Sequence, residues 1–405
     1  MKILHINAIN DVKSTGRMCK ELATVHAASG HETRIAHSVG PVTDRSYVIG
    51  HRTDTRIHAL QARVSGRQGY GSKRATRDLL AFLTQYEPDV VHLHNLHANY
   101  VNVGMLFEHL ARHDIPTVLT LHDCWFFTGK CTHYTSVNCT RWQQGCGTCP
   151  LLREDIPSWW FDRTSEMIED KRRWLAAIPR LAVVGVSDWI TMEARFSLLQ
   201  NAALLRRIYN WVDLDVFRPS DVTELQARHD VTERTVLLGV ASHWDDAKGL
   251  TTLLALADLR PNDTFILVGR LDVKQLPKNV IHVQETNDAH ELARYYSLAD
   301  LFLNLSEEES FGNVTAEAMA CGTPALVLDT TASPELVTNE TGGVVSSRNL
   351  ADIDRAIQRI LVRGKHAYTD ACVKHARENF ALQDRANDYV DVYEALRYEK
   401  VRNVQ

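Results

Sequence analysis

The chain has 405 residues, 44% of them hydrophobic and 23% charged, with a formal net charge of −5. This length suggests two or three domains, and the composition is that of a soluble globular protein rather than a disordered or collagenous one. No apolar run reaches the ~18 residues of a membrane-spanning helix, and MKILHINAIN lacks the apolar core of a secretory signal, so a cytoplasmic protein is expected.

The first half opens with a strand, KILHIN, then a loop at Asp11–Gly16 and an amphipathic helix near Arg17–Ser29. Strand ETRIAHS follows a Gly-His turn. Residues 40–75 have weak periodicity and read as irregular or helical surface. From Arg52 to Arg77, seven bases (Arg52, Arg56, Arg63, Arg67, Lys73, Arg74, Arg77) stand against one acid, Asp54. Such a patch suits an anionic membrane surface or a phosphorylated substrate, or is simply a solvated helix face. Nucleic acid is not expected, since no binding motif accompanies it. Further strands are read at 89–94, 116–122 and 181–187.

The segment 208–219, IYNWVDLDVFRP, is read as a linker. Beyond it come strands at 235–242, 264–269, 279–284, 301–306 and 324–329, with helices at Leu250–Leu259, Ala289–Leu298 and from Gly312. Strands alternating with helices specify parallel sheets, giving two Rossmann-like α/β domains. The expected domains are 1–208, 209–382 and a closing helical segment, 383–405, that could pack back on the first. Charge divides between the halves, net +6 over residues 1–208 and −11 over the rest.

The chemically richest stretch is SEEESFGNVTAEAMACGTP (306–324). A strand ends, acids follow, and Ser310, Phe311, Gly312 and Asn313 open a helix whose backbone N–H groups favour an anion. Glu309 lies in the loop and Glu317 about one and a half turns into the helix. One carboxylate can hold sugar hydroxyls and the other a ribose diol. Alone, the pair reads more simply as an acidic helix start with a salt bridge.

With its neighbours, this stretch resembles the retaining, nucleotide-sugar-dependent glycosyltransferases of family four, whose GT-B fold sets two Rossmann-like domains across a cleft. The resemblance rests on E-S-F-G-N-V-T-A-E-A-M-A-C-G-T-P and on STGR (14–17), SGHE (29–32), LHD (121–123), NWVDLDVFRP (210–219), AKGL (247–250) and SPELV (333–337). It implies that Glu309 binds the donor sugar, Glu317 the ribose, and Lys248 the departing diphosphate. His122 would face the sugar, and Gly16 would form a tight loop under the phosphates or acceptor. Relatives often carry arginine five residues before the lysine. Here that position is His243, which lacks arginine's fork, so Arg270 is a candidate substitute. In this family the acceptor proton is thought to pass to the leaving phosphate, so no separate base is named.

Five of eight cysteines fall between 124 and 149. Cys131, Cys139, Cys146 and Cys149 have the spacing C-x7-C-x6-C-x2-C, which suits a structural zinc; free thiols, disulfides and an iron–sulfur centre are the alternatives. Cys124 and His133 are spare ligands. The segment is similar to an insertion in colanic-acid and other exopolysaccharide glycosyltransferases. His92, His94 and His97 read as hydrogen-bonded supporting groups, with His94 and Asn95 near the acceptor. No D-x-D pair calls for a catalytic metal. The expected activity is sugar transfer from a nucleotide-diphosphate-sugar donor to a saccharide acceptor, plausibly a lipid-linked oligosaccharide at the inner face of a membrane, for exopolysaccharide, capsule or O-antigen assembly. A sugar-nucleotide epimerase, a phosphorylase and a non-catalytic zinc-braced scaffold are the alternatives.

Overall fold

The structure is a computed structural model that describes residues 1–286 and 288–398. It contains two compact units, one formed by Met1–Ile208 with the chain from Ala386 onward, the other by Tyr209–Arg385. The expected closing segment 383–405 is therefore described only to residue 398, and its last residues lie outside the described chain.

The first unit holds seven strands: β1 (Lys2–Ile6), β2 (Glu32–His37), β3 (Ser46–Val48), β4 (Val90–Leu93), β5 (Thr117–Leu121), β6 (Leu181–Gly185) and β7 (Leu204–Arg207). Their order is β3-β2-β1-β4-β5-β6-β7, and every pairing is parallel. Strands β4, β5 and β6 are buried along their whole length. Parallel sheets need this, because helices cover both faces. The helices are α1 (Lys13–Ala28), α2 (Arg52–Ser65), α3 (Lys73–Tyr86), α4 (Val103–Arg112), α5 (Thr164–Ala176) and α6 (Asp188–Arg195).

The second unit carries β8 (Val236–His243), β9 (Thr264–Arg270), β10 (Val280–Val283), β11 (Leu301–Asn304), β12 (Ala325–Leu328) and β13 (Gly342–Val345) in the order β10-β9-β8-β11-β12-β13, again all parallel. Its helices are α7 (Thr223–His229), α8 (Leu250–Leu259), α9 (Ala289–Leu298), α10 (Asn313–Ala320), α11 (Leu350–Arg363) and α12 (His366–Phe380). Helix α11 shows how the sequence encodes one. Asn349 accepts from the backbone N–H groups of Ala351 and Asp352, and Ile353, Ala356, Ile357 and Ile360 form the buried stripe.

A last helix, α13 (Leu382–Tyr398), crosses from the second unit to the first. On the first sheet, the Tyr389 hydroxyl lies 3.0 Å from the Thr120 hydroxyl and the Tyr393 hydroxyl 2.7 Å from His92 Nδ1.

Three element readings need correction. Helix α1 begins at Lys13, four residues before the expected start, so Gly16 lies inside a helix rather than a loop. Residues 40–75, read as irregular or helical surface, do hold a helix, α2, but also the edge strand β3 and the start of α3. Short edge strands β3, β7 and β13 escape the sequence reading because each has three or four residues.

Candidate functional site

In open parallel sheets, ligands bind beyond the carboxyl ends of the strands where the strand order reverses. In the second unit that point lies between β8 and β11. The two loops leaving these strands carry Lys248 and Glu309. Lys248 Nζ sits 2.8 Å from Glu309 Oε1 and donates to Ser306 Oγ at 3.2 Å. The Glu309 backbone N–H donates to Thr331 Oγ1 at 2.9 Å, which fixes the loop under its own carboxylate. Lys248 is 38% and Glu309 17% exposed, so both can reach solvent or a ligand.

Glycine makes the close approach possible. Gly249 has φ +83°, and a Cβ there would lie 2.7 Å from the Leu305 carbonyl oxygen. Arg348, absent from the sequence reading, clasps the same two loops. It donates to Leu305 O and Ala247 O at 2.7 and 2.8 Å and pairs with Glu307 at 2.9 Å. No local pattern announces it, because it stands beyond β13, a hundred residues from Ala247 in sequence.

Gly312 caps α10 in the left-handed conformation at φ +99°. Glu317 lies just over one turn into α10 and is 5% exposed. It accepts from the Tyr296 hydroxyl at 2.9 Å. Asn313 Oδ1 accepts from Asn210 at 3.0 Å, and Phe311 is buried against Tyr209 and Phe380. Ser310 Oγ is buried without a hydrogen-bond partner among the described residues. Tyr296, Thr331 and Asn210 were likewise missed, being brought in from separate elements.

His243 ends β8, 48% exposed, with Asp272 3.9 Å away. Arg270 is its register partner across the β8–β9 pair. Arg270 is 61% exposed and pairs with Glu285 at 3.2 Å.

In the first unit, Gly16 serves packing. A Cβ there would meet Ile9 Cγ1 at 3.1 Å and the Asp11 nitrogen at 3.3 Å. His122, at the end of β5, closes a chain of histidines: His5 Nδ1 to His94 Nε2 at 3.2 Å, and His94 Nδ1 to His122 Nε2 at 3.0 Å. Among the described residues, His5 Nε2 is buried without a hydrogen-bond partner. A proton there would be an orphaned buried donor, worth roughly 1–3 kcal/mol. The tautomers that avoid it run one way: His5 donates to His94, His94 donates to His122, and His122 keeps its proton on Nδ1. Burial pushes His5 down to about 3 and His122 down to about 4, and drives His92 and His94 well below the ordinary range. At neutral pH the cluster is uncharged.

Among the described residues, His5, His92 and His94 are the one group of three whose ligand atoms all lie within 4.8 Å of one another. Both nitrogens of His92 are already hydrogen-bonded, to Tyr393 and Thr120 at 2.7 Å each, and both of His94 bond histidines. Hydrogen bonds account for the group without a metal.

Cys131, Cys139, Cys146 and Cys149 line one small cavity together with Tyr134 and Trp142. The Cys131 thiol is hydrogen-bonded to Cys149.

Two family models match in chain order: Glycosyltransferase Family 4 over residues 15–216 and Glycosyl transferases group 1 over residues 234–363. The chain belongs to this family of glycosyltransferases. It is 24% identical over 321 residues to WcaC of Escherichia coli, described as a colanic acid biosynthesis glycosyl transferase, covering 76% of this chain and 77% of that one. The structure is similar to sucrose-phosphate synthase from Thermosynechococcus elongatus, with TM-score 0.70, 18% identity and 98% of each chain covered. It is also similar to Anabaena HepE in complex with UDP-glucose, with TM-score 0.65, 16% identity, and 98% and 100% covered. The fold is GT-B, built from two Rossmann-like parallel-sheet units. Among the described residues, no helix is long and apolar enough to cross a membrane.

Proposed function

We propose that the chain transfers a sugar from a nucleoside diphosphate sugar to a saccharide acceptor with retention at the anomeric carbon. The observation that carries this reading is the 2.8 Å Lys248–Glu309 pair on the two loops at the strand-order reversal. A diphosphate would compete for the Lys248 ammonium and free Glu309 for sugar hydroxyls. The ammonium then neutralises charge as the leaving diphosphate departs. Glu317 would accept from the ribose, and Gly312–Asn313 would present the start of α10 to phosphate. His122 would hydrogen-bond the donor sugar through its Nδ1 proton. The acceptor proton would pass to the leaving phosphate on the same face.

HepE binds UDP-glucose, so UDP-sugars head a thermal-shift panel with GDP-, ADP- and CDP-sugars. The matching donor should raise the melting temperature. With that donor, Lys248→Ala should lower kcat/KM by about 10²–10³. The unliganded melting temperature should hardly move, since the pair is partly exposed. Transfer unimpaired in this variant would reject the site. An inverted product in the anomeric NMR signal would reject retention.

The acceptor is proposed to be lipid-linked, for exopolysaccharide, capsule or O-antigen assembly, with the first unit resting on an anionic membrane. Helix α2 exposes Ile57, Leu60 and Val64 beside its arginines. The Trp159 N–H donates to Arg63 O at 2.8 Å, and Trp159, Trp160 and Phe161 are exposed next to it. Exposed aromatics beside a basic amphipathic helix suit a lipid interface. A groove of about 880 Å³ opens alongside, lined by Arg67, Tyr70, Lys73 and Arg74 among others. The double variant Trp160→Ala/Arg56→Glu should weaken flotation with phosphatidylglycerol liposomes at least tenfold, each base contributing about 1 kcal/mol. Unchanged flotation would reject the membrane face.

A further inference from the structure

The chain between β5 and α5, residues 122–163, has no regular element beyond two short 3-10 turns, Thr135–Val137 and Arg141–Gln143. A loop of this length needs internal cross-links to hold one conformation. Part of the bracing is visible. The buried ammonium of Lys171 donates to the carbonyls of Trp125 and Thr128, at 2.5 and 2.9 Å, and that of Lys130 to Leu151 and Glu154, at 2.5 and 2.9 Å.

We propose that Cys131, Cys139, Cys146 and Cys149 bind one structural Zn²⁺ as four thiolates, completing that bracing. All four residues line one cavity. Backbone donors already point at two of the sulfurs: the Gly129 N–H lies 3.3 Å from Cys146 Sγ, and the Leu151 N–H bonds to Cys149. The half-site Cys146-Gly147-Thr148-Cys149 is wound left-handed at three successive residues, with φ of +58°, +90° and +48°. A β-branched threonine adopts that backbone only where the surroundings enforce it. A tetrathiolate zinc centre carries a net charge of about −2, and Lys130 and Lys171 bury two amino groups, each able to carry a compensating proton, against this loop. Cys124 and His133 do not line the cavity, so they are left out of the ligand set.

Among the described residues no three of the four sulfurs lie within 4.8 Å of one another. Binding therefore closes them by side-chain rotation around the Cys131–Cys149 contact. The four thiols release their protons to solvent as four Zn–S bonds form. The ion is not part of the sugar-transfer chemistry, so this site stands or falls apart from the donor site.

The test is elemental analysis of the full chain, expressed with supplemented zinc and purified without a metal-affinity step. About one zinc per chain is expected, released by a thiol-modifying reagent. Cobalt exchange should give a thiolate-to-cobalt charge-transfer band. Cys131→Ser/Cys149→Ser should lose the zinc, whereas His5→Gln should keep it. Should the cysteine variants fail to fold, the wild-type metal content and cobalt spectrum still decide. Less than about 0.2 zinc per chain, iron in place of zinc, a mapped disulfide between any of the four, or zinc lost in the His5 variant would each overturn the proposal.

Discussion

The two sheets reverse strand order in the same way but place opposite chemistry at the reversal. In the second unit, the loops after β8 and β11 carry a charged pair, Lys248 and Glu309, left partly open to solvent. In the first unit, β1, β4 and the residue following β4 carry His5, His92 and His94, buried and uncharged, and pass hydrogen bonds outward to His122. The difference follows from solvation. A full charge survives where water or a diphosphate can reach it, whereas an imidazole can be buried by giving up its charge. The second reversal keeps its charges open to solvent, and the first holds one histidine in one tautomer.

Acid should break the first half of this comparison with the larger effect. The buried histidines stay neutral in the folded chain and ionise near the ordinary value of 6.5 once unfolded. Below 6.5 the unfolded chain binds more protons, so stability is present at neutral pH and falls as the pH drops. Between pH 6.5 and 5 each such histidine removes roughly 2 kcal/mol. For His5 the loss continues toward its folded value of about 3. Urea midpoints followed by tryptophan fluorescence from pH 8 to 5 should shift steadily downward below 6.5. His5→Gln should reduce that slope by about one proton. A midpoint independent of pH over this range would show that the histidines are not held neutral.

Much of this contrast was legible in the sequence, but unevenly. Apolar runs such as VVHL, TVLTL and LAVVG mark fully buried parallel strands without needing a partner to be known. Lys248 and Glu309 stood out through the family resemblance carried by AKGL and E-S-F-G-N-V-T-A-E; alone, the lysine is ordinary and the glutamate ambiguous. The supporting groups did not. His5 and His94 are 89 residues apart and His92 and Tyr393 are 301 apart, so no periodicity connects them. Lys171 reads as one base in a charged helix, yet it is 3% exposed. Strand β13 was hidden because Gly342-Gly343 reads as a turn. In the fold Gly342 has φ +153°, and a Cβ would lie 1.9 Å from the Ala325 carbonyl oxygen.

A smaller effect would sharpen the second half. The departure at His243 leaves the proposed donor site one arginine short of the pattern that the family resemblance implies, and the register places Arg270 directly across the strand pair from it. If Arg270 supplies the missing charge, Arg270→Ala should weaken binding of the matching donor about tenfold, near 1.4 kcal/mol. His243→Ala should change it by less than about threefold, since an imidazole offers one hydrogen bond in place of arginine's fork. Raising salt should narrow the gap between Arg270→Ala and wild type, because an exposed guanidinium acts through a screened field. Calorimetric titration of both variants at two ionic strengths separates the cases. The reverse ranking, with His243→Ala the weaker binder, would assign the contact to His243 and leave Lys248 as the principal cation facing the diphosphate.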